Sequence, residues 1–250
     1  MELHSARILV TGGTSGVGAA LISSLHDAGA ILVTCGRDRD RCDTLRRRHP
    51  GVRVVEIDLA SQGAPRRLVE EAVVILGGLD VVINNAAVQV HEWFFPAPTD
   101  GIDGRIEVEI AVNLVAPIEI TAAAMPVLAA SKAAALVFVT SGLAVFPKKT
   151  APVYCATKSA LRTFSTALRY QSSDDAAHVT IIDAVLPLVD TPMTAGRGSA
   201  DGKASPEAVA EQIVDAIVRS RSTVYIGKAR LLPWLARLAP SIGRRALRNG

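Results

Sequence analysis

Arg7-Ile-Leu-Val-Thr-Gly-Gly-Thr-Ser-Gly-Val-Gly18 is the stretch whose reading decides the fold. Its opening residues are short, apolar and rich in β-branched side chains, as a buried strand is, and glycines end them. An apolar helical pattern follows through Ala19-Ala-Leu-Ile22 and Leu25 and closes near Gly29. Glycines at such a junction permit a tight turn and let backbone approach a pyrophosphate. The free amides and the dipole of the helix N-terminus attract that group. A glycine cluster is often only a turn, but this one has the strand-to-helix context that a dinucleotide site requires.

Working outward, Ile31-Leu-Val-Thr-Cys35, Val52-Arg-Val-Val-Glu-Ile57 and Leu79-Asp-Val-Val-Ile83 read as further strands, with candidate helices over 38–48 and 64–76. Strands too apolar to expose either face, alternating with helices, imply a parallel sheet covered on both sides. Right-handed crossovers then make it doubly wound. The second half continues the rhythm. Asn113 to Leu128 reads as a long apolar-rich helix and 135–140 as a fifth strand; Pro152 fits the first turn of the next helix. His178 to Val185 is a sixth strand. Ser205-Pro206-Glu207 then opens a helix with a hydroxyl cap, a proline and an acid, and Val209, Ile213 and Ile217 make its buried stripe. Thr223-Val-Tyr-Ile226 is a seventh strand. No linker or repeat interrupts the pattern, so 1–250 is expected to be a single α/β Rossmann-type domain with a seven-stranded parallel sheet. Within it, 188–204, with Gly196, Gly198 and Gly202, reads as a substrate lid or a flexible surface loop, and 228–250 as a basic tail.

A hydrophobic fraction of 49% and a charged fraction of 20% over 250 residues describe an ordinary globular chain, and a net charge of +3 does not argue for nucleic acid. Cys35, Cys42 and Cys155 form no CxxC pair and no metal-ligand spacing. No metal is expected, and the thiols read as buried or incidental ones in a reducing compartment. Met1-Glu-Leu-His has no basic-then-apolar leader, and the apolar runs fall short of the ~20 residues of a membrane span. A cytoplasmic protein is expected.

The chemistry sits in Tyr154-Cys-Ala-Thr-Lys158. Residues four apart share a helix face. An ammonium there favours the phenolate, lowers the phenol's pKa and makes Tyr154 a usable proton donor and acceptor near neutral pH. Ser141, where the fifth strand ends, is placed to hold a substrate oxygen against that phenol. Gly36-Arg37 closes the second strand, where an acid would bond a ribose 2′-hydroxyl. Arg37 instead offers a fork of donors to a 2′-phosphate, which favours NADP (NADPH) over NAD. Asp58 and Leu59 follow the third strand, where they would meet an adenine edge, although an Asp there is also a common helix cap. The aromatics of His91-Glu-Trp-Phe-Phe-Pro96 are expected to line an apolar pocket or to pack on a helix or a neighbouring subunit. Val145-Phe146 and Leu188 would add apolar surface beside Ser141 and Tyr154. A fairly apolar small carbonyl compound or secondary alcohol is the expected substrate. In the tail, Leu231, Leu235, Leu238 and Ile242 recur at near-helical spacing among Arg237, Arg244, Arg245 and Arg248. A basic amphipathic segment can lie on an anionic membrane. Because Pro233 and Pro240 interrupt it, packing on its own domain or on a partner subunit is expected instead.

With these residues in place, the chain resembles the short-chain dehydrogenase/reductase family over nearly its full length. The motifs that carry the likeness are Thr11-Gly-Gly-Thr-Ser-Gly-Val-Gly18, Asn84-Asn-Ala-Ala87, Asn113, Ser141, Tyr154-x-x-x-Lys158 and Pro187…Thr191. Within the family it looks like the short single-domain class, and like a bacterial branch named for its association with D-alanyl-lipoteichoic acid operons. The resemblance implies that Tyr154 is the general acid in reduction and the base in oxidation. Lys158 would bind the nicotinamide ribose and lower the phenol's pKa, Ser141 would hydrogen-bond the substrate carbonyl, and Asn113 would hold a water linking Lys158 to solvent. Gly12, Thr14, Ser15, Gly16, Val17 and Gly18 would form the pyrophosphate turn. Asn85 and Ala86 would face the cofactor while Asn84 braces the strands, and Thr191, in the Pro187 segment, would meet the carboxamide. Ala87 and Leu188 depart from the usual glycines. The first change should be tolerated; the second removes a residue free to take positive φ, so the backbone there is expected to run differently. Family likeness also implies a homodimer or homotetramer through long helices near 113–130 and 152–172. An NAD-dependent alcohol dehydrogenase is the alternative within the family, and a dinucleotide-binding sensor with vestigial catalysis the alternative outside it.

Overall fold

The apolar runs become seven strands: β1 (Arg7–Val10), β2 (Ile31–Gly36), β3 (Arg53–Glu56), β4 (Val81–Asn84), β5 (Ala134–Ser141), β6 (Val179–Leu186) and β7 (Thr223–Tyr225). The structure, a computed structural model, describes residues 1–95, 102–196 and 202–248, with side chains omitted at Ile102 and Asp103. The strands form one sheet in the order β3-β2-β1-β4-β5-β6-β7, and every pairing is parallel. The chain reverses direction across the sheet between β1 and β4, which opens a crevice at the strands' carboxyl ends.

Helices cover both faces because the strands are apolar on both. On one face α1 (Gly16–Asp27) and α7 (Pro206–Val218) bury Leu21, Ile22, Leu25, Val209, Ile213 and Ile217. On the other, α3 (Ala64–Leu76), α5 (Ala116–Ala129) and α6 (Pro152–Asp175) bury Leu68, Val69, Ile120, Leu128 and Leu161. The short α2 (Arg39–Arg48) joins β2 to β3 and is capped by Asp38, whose carboxylate accepts the Arg41 N–H.

The long apolar helix begins earlier than its pattern suggests. It opens as α4 (Ile102–Ile110), passes through a π-helical turn at Ala111–Val115 and continues as α5. Pro117 explains the turn: it has no N–H to give the Asn113 carbonyl, and the Ala116 N–H bonds Ala111 O, five residues back. By length and composition Gly104–Ala129 is apolar enough to cross a membrane, contrary to the reading of the sequence run by run. Here Ala116, Ile120, Ala124 and Leu128 are buried against the sheet, while Val108, Ile110, Val115 and Ile118 are exposed.

Two other segments flank the site. Leu188 does not take positive φ: Ser5 and Ser220 are the only non-glycine residues that do among those described. The ends of 188–204 are tied together: Ala204 N–H donates to Leu188 O, Asp190 N–H donates to Ala204 O, and Lys203 reaches both Asp190 and Thr194 O. Residues 197–201 of this stretch, Gly198 included, lie outside the described residues. The tail folds as two helices, α8 (Leu232–Leu238) and α9 (Pro240–Leu247), because Pro233 and Pro240 both fall in first turns, where a missing N–H costs nothing. Its inward side packs on the domain through Leu232, Leu235 and Leu247 against Phe146 and Val185, and a Cβ at Gly243 would overlap the Phe146 ring.

Candidate active site

A cavity of about 600 Å³ occupies the crevice. Every residue picked from the sequence as a site residue lines it, except Asn113. At one end is the glycine turn. Gly12 has φ +68°, and a Cβ there would stand 3.0 Å from Ala86 Cα, while a Cβ at Gly18 would overlap Gly12 O. Side chains there would close the cradle that backbone leaves open, and Gly16 comes similarly near Thr191 from the other wall. The turn is pinned from beneath. Thr34 Oγ1 donates to Val10 O and accepts the Gly13 N–H at 3.0 Å. The Thr11 hydroxyl accepts the N–H groups of Asn85 and Ala86 at 3.0 and 2.9 Å.

Of the two asparagines, Asn85 faces the cavity and Asn84 does not. Asn85 lines the cavity but spends its side-chain amide on Thr11 O and Gly12 O, bracing the turn. Asn84 is buried, and its side chain makes no hydrogen bond among the described residues. Beside Gly36, Arg37 is exposed and lines the cavity together with Arg41, one turn into α2, a residue that strand-end reasoning passes over. Asp58 Oδ1 accepts the Ala60 N–H, so its carboxylate serves a turn as well as facing the cavity with Leu59.

Ser141, Tyr154 and Lys158 meet at the other end. Ser141 closes β5, and its Oγ accepts the Leu143 N–H at 3.1 Å. Lys158 is buried, donates to Val139 O at 2.9 Å, and holds its Nζ 5.7 Å from the centre of the Tyr154 ring. Burial drags the Lys158 pKa down to about 8, against the opposing pull of Asp183 and Glu109. Arg162, one turn further on, pairs with the buried Asp183 of β6 at 2.8 Å and donates to the Tyr225 hydroxyl at 2.9 Å. Tyr154, Lys158 and Arg162 thus form one stripe of α6, and the stripe is locked to β6 by an ion pair.

Asn113 stands behind the cavity, not in it. Its side chain donates to Val88 O and accepts the Val88 N–H, each at 2.8 Å, so the amide fixes the chain after β4 and is not available to hold a water. The group it has to offer is its carbonyl, which Pro117 cannot bond.

A pair of acids escaped sequence reasoning. The N-cap residue of α6 is Ala151, which has no acceptor to give, and Glu92 reaches in from the chain after β4 instead. Glu92 Oε2 accepts the Val153 N–H at 3.2 Å and the Glu92 N–H donates to Thr150 O. Beside it, Glu109 accepts the Val90 N–H. Burial and the neighbouring Glu92 push the Glu109 pKa up to about 8. Ala151 ahead of Pro152 was the available signal: a helix start with no side-chain acceptor needs one from elsewhere.

Some expected wall residues lie elsewhere. Trp93, Phe94 and Phe95 are exposed and do not line the cavity; Pro96 is outside the described residues. Phe146 turns away beneath the tail, because the 3₁₀ turn at Gly142–Ala144 redirects the chain. Val145 follows it, and Leu188 does line the cavity.

A crevice with an open backbone cradle at one end and a hydroxyl, a phenol and a buried ammonium at the other is the equipment of a dehydrogenase or reductase. The chain matches the short chain dehydrogenase family over residues 6–202 and belongs to it. It is 36% identical over 193 residues to the uncharacterized oxidoreductase DltE of Bacillus subtilis, covering 76% of this chain and 74% of that one. It is 29% identical over 216 residues to an uncharacterized oxidoreductase of Staphylococcus aureus, covering 85% and 91%. Among solved structures, a short chain dehydrogenase from Burkholderia cenocepacia in complex with NADP superposes with a TM-score of 0.83 at 23% identity, over 99% of each chain. A 3-ketoacyl-(acyl-carrier-protein) reductase from Brucella melitensis complexed with NADH gives 0.79 at 19% identity, over 88% of this chain and 95% of that one.

Proposed function

We propose that this dehydrogenase/reductase uses NADP(H) to interconvert a small, fairly apolar carbonyl compound and its alcohol. The observation that carries the reading is Tyr154 and Lys158 on one face of α6, with Ser141 in the same cavity. The residues fit the cofactor: the cradle at Gly12 and Gly18 is backbone alone, and Arg37 and Arg41 stand at the β2 end. Bound there, the nicotinamide supplies or accepts the hydride.

This chain's side chains do the rest. Ser141 Oγ donates to the substrate oxygen as negative charge grows on it. Tyr154 gives that oxygen its proton in reduction and takes it back in oxidation. Lys158, charged below a pH of about 8, favours the phenolate left behind and binds the nicotinamide ribose. The Asn113 carbonyl, whose partner four residues on is the N–H-less Pro117, holds the water that returns a proton to Lys158. Thr191 and Pro187 bound the nicotinamide end, and Leu143, Leu188 and Met193 supply apolar wall.

Preference for NADP rests on this chain, since one solved neighbour holds NADP and the other NADH. Asp38 is the one acid beside Arg37, and its carboxylate is turned to Arg41, accepting the Arg41 N–H through one oxygen and standing 3.5 Å from Arg41 Nε with the other, which leaves the Arg37 fork for a 2′-phosphate. Tyr154→Phe should lower turnover by roughly 10³-fold while leaving NADPH affinity by calorimetry within about twofold of the parent. Near-parental turnover would refute the role given to the phenol. Arg37→Ser should weaken NADPH and spare NADH; tighter binding of NADH than NADPH by the parent protein would overturn the cofactor assignment.

A further inference from the structure

The α8–α9 hairpin has two unlike sides. Its inner side belongs to the domain: Leu232 and Leu247 line the cavity, and Gly243 lies against Phe146. Its outer side is bare. Leu231 is 62% exposed, Trp234 69%, Leu238 71% and Ile242 61%, which is more than chance scatter of single apolar residues over so few positions.

Charge says what covers it. From Arg219 to the end the chain has no Asp or Glu, and Arg237, Arg244, Arg245 and Arg248 surround the apolar residues. All four are exposed, and none makes an ion pair among the described residues. On α8 the buried Leu232 and half-buried Leu235 put Trp234, Arg237 and Leu238 on the opposite face; on α9 the buried Gly243 and half-buried Leu247 put Arg245 and Ile242 outward. A second copy meeting this face symmetrically would set arginines against arginines. Nucleic acid would satisfy the arginines and leave the leucines and tryptophan in water. An anionic bilayer surface takes both, with headgroups for the guanidinium groups and the acyl boundary for Leu231, Trp234, Leu238 and Ile242.

We propose that the outer side of the α8–α9 hairpin docks this protein on an anionic membrane surface. The docked element also walls the cavity, so the substrate end is held against the lipid phase, where an apolar carbonyl compound concentrates. That consequence rests on the function proposed above; the docking does not.

The test uses the full chain carrying Trp93→Phe, so that Trp234 is the one fluorophore of its kind. Sedimentation with vesicles of equimolar phosphatidylglycerol and phosphatidylcholine should carry the protein down, with a blue shift of Trp234 emission. Pure phosphatidylcholine vesicles and high salt should both release it. Arg237→Ser with Arg245→Ser should weaken binding roughly 30-fold, and Leu238→Ser with Ile242→Ser should abolish the blue shift. None of these four residues lines the cavity, so circular dichroism and NADPH binding should stay parental and report that the variants fold. No binding to the anionic vesicles overturns the proposal. So does a change of mass by light scattering in Leu238→Ser/Ile242→Ser without vesicle binding, which would make the patch a subunit contact, or a duplex DNA affinity tighter than the vesicle affinity. Vesicle binding without turnover on any carbonyl compound would leave the docking standing and the proposed reaction fallen.

Discussion

Glu109 couples the start of α6 to pH. Its raised pKa means the folded chain keeps a proton that the unfolded chain, with a glutamate near its ordinary ~4.3, releases. Stability from this group is therefore complete below the ordinary value and lost as pH rises through about 8. The groups facing it are Glu92, the Val90 amide and, more distantly, Lys158. Glu109→Gln keeps a donor toward Glu92 but cannot ionise. It should flatten the decline in thermal stability over that range and raise Tm by about 3 °C near the alkaline end, measured by calorimetry against pH. A variant that tracks the parent's pH dependence would show that the proton is held elsewhere. Glu92→Ala should instead destabilise at every pH, by about 1 kcal/mol, because the first turn of α6 loses its acceptor. Lys158 has the opposite sign. Its depressed pKa means the buried charge is a cost below about 8, so that group's contribution to stability grows as pH rises from there towards its ordinary value. Turnover in the reductive direction should fall over the same rise as the ammonium is lost.

Among the elements, the joined helix of α4 and α5 carries a device that a single substitution can test. Pro117→Ala supplies an N–H four residues after the Asn113 carbonyl, which should regularise the π turn and stabilise the helix. The proton route proposed through that carbonyl would then close, and kcat should drop by roughly tenfold with NADPH affinity unchanged. An unchanged kcat in a variant whose helix has regularised would remove Asn113 from the relay. The same helix marks how far sequence reading reaches. The glycine turn and the Tyr154–Lys158 spacing were legible because both are local: chemistry and geometry lie within one turn of chain. The seven strands were legible as runs, since strands covered on both faces must be apolar throughout. What escaped depends on partners far away in sequence. Glu92 caps a helix 61 residues later, Asn113 spends its amide on Val88, 25 residues earlier, and Phe146 is turned under a tail that packs from the end of the chain. Asn84 and Asn85, adjacent and chemically identical, differ because β4 ends between them: Asn84 is the strand's last residue, and Asn85, just past it, reaches the glycine turn.

At the scale of the whole molecule, charge distinguishes two of the exposed apolar surfaces among the described residues. The hairpin at the end of the chain is basic throughout. The face of α4 and α5 is mixed: Val108, Ile110, Val115 and Ile118 stand beside the exposed Glu107 and Glu119 on one side and Arg105 on the other. A mixed face can meet its own copy across a two-fold axis with opposite charges opposed. We therefore propose this helix, with α6 beside it, as the subunit contact, which leaves the hairpin free for lipid. The arrangement bears on the site as well. The π turn holding Asn113 lies between the two halves of this helix, and α6 carries Tyr154, so pairing would stiffen both walls behind the cavity. Val115→Lys with Ile118→Lys should convert the oligomer to a monomer by light scattering at micromolar concentration. Because Ala116 and Ile120, which face the sheet, are untouched, the monomer should remain folded by circular dichroism. Its kcat should fall further than its NADPH affinity, since the cradle at Gly12 and Gly18 rests on β1 and α1, on the side of the molecule away from the contact. A parental mass in that variant would mean that copies of the chain meet through some other face, or not at all.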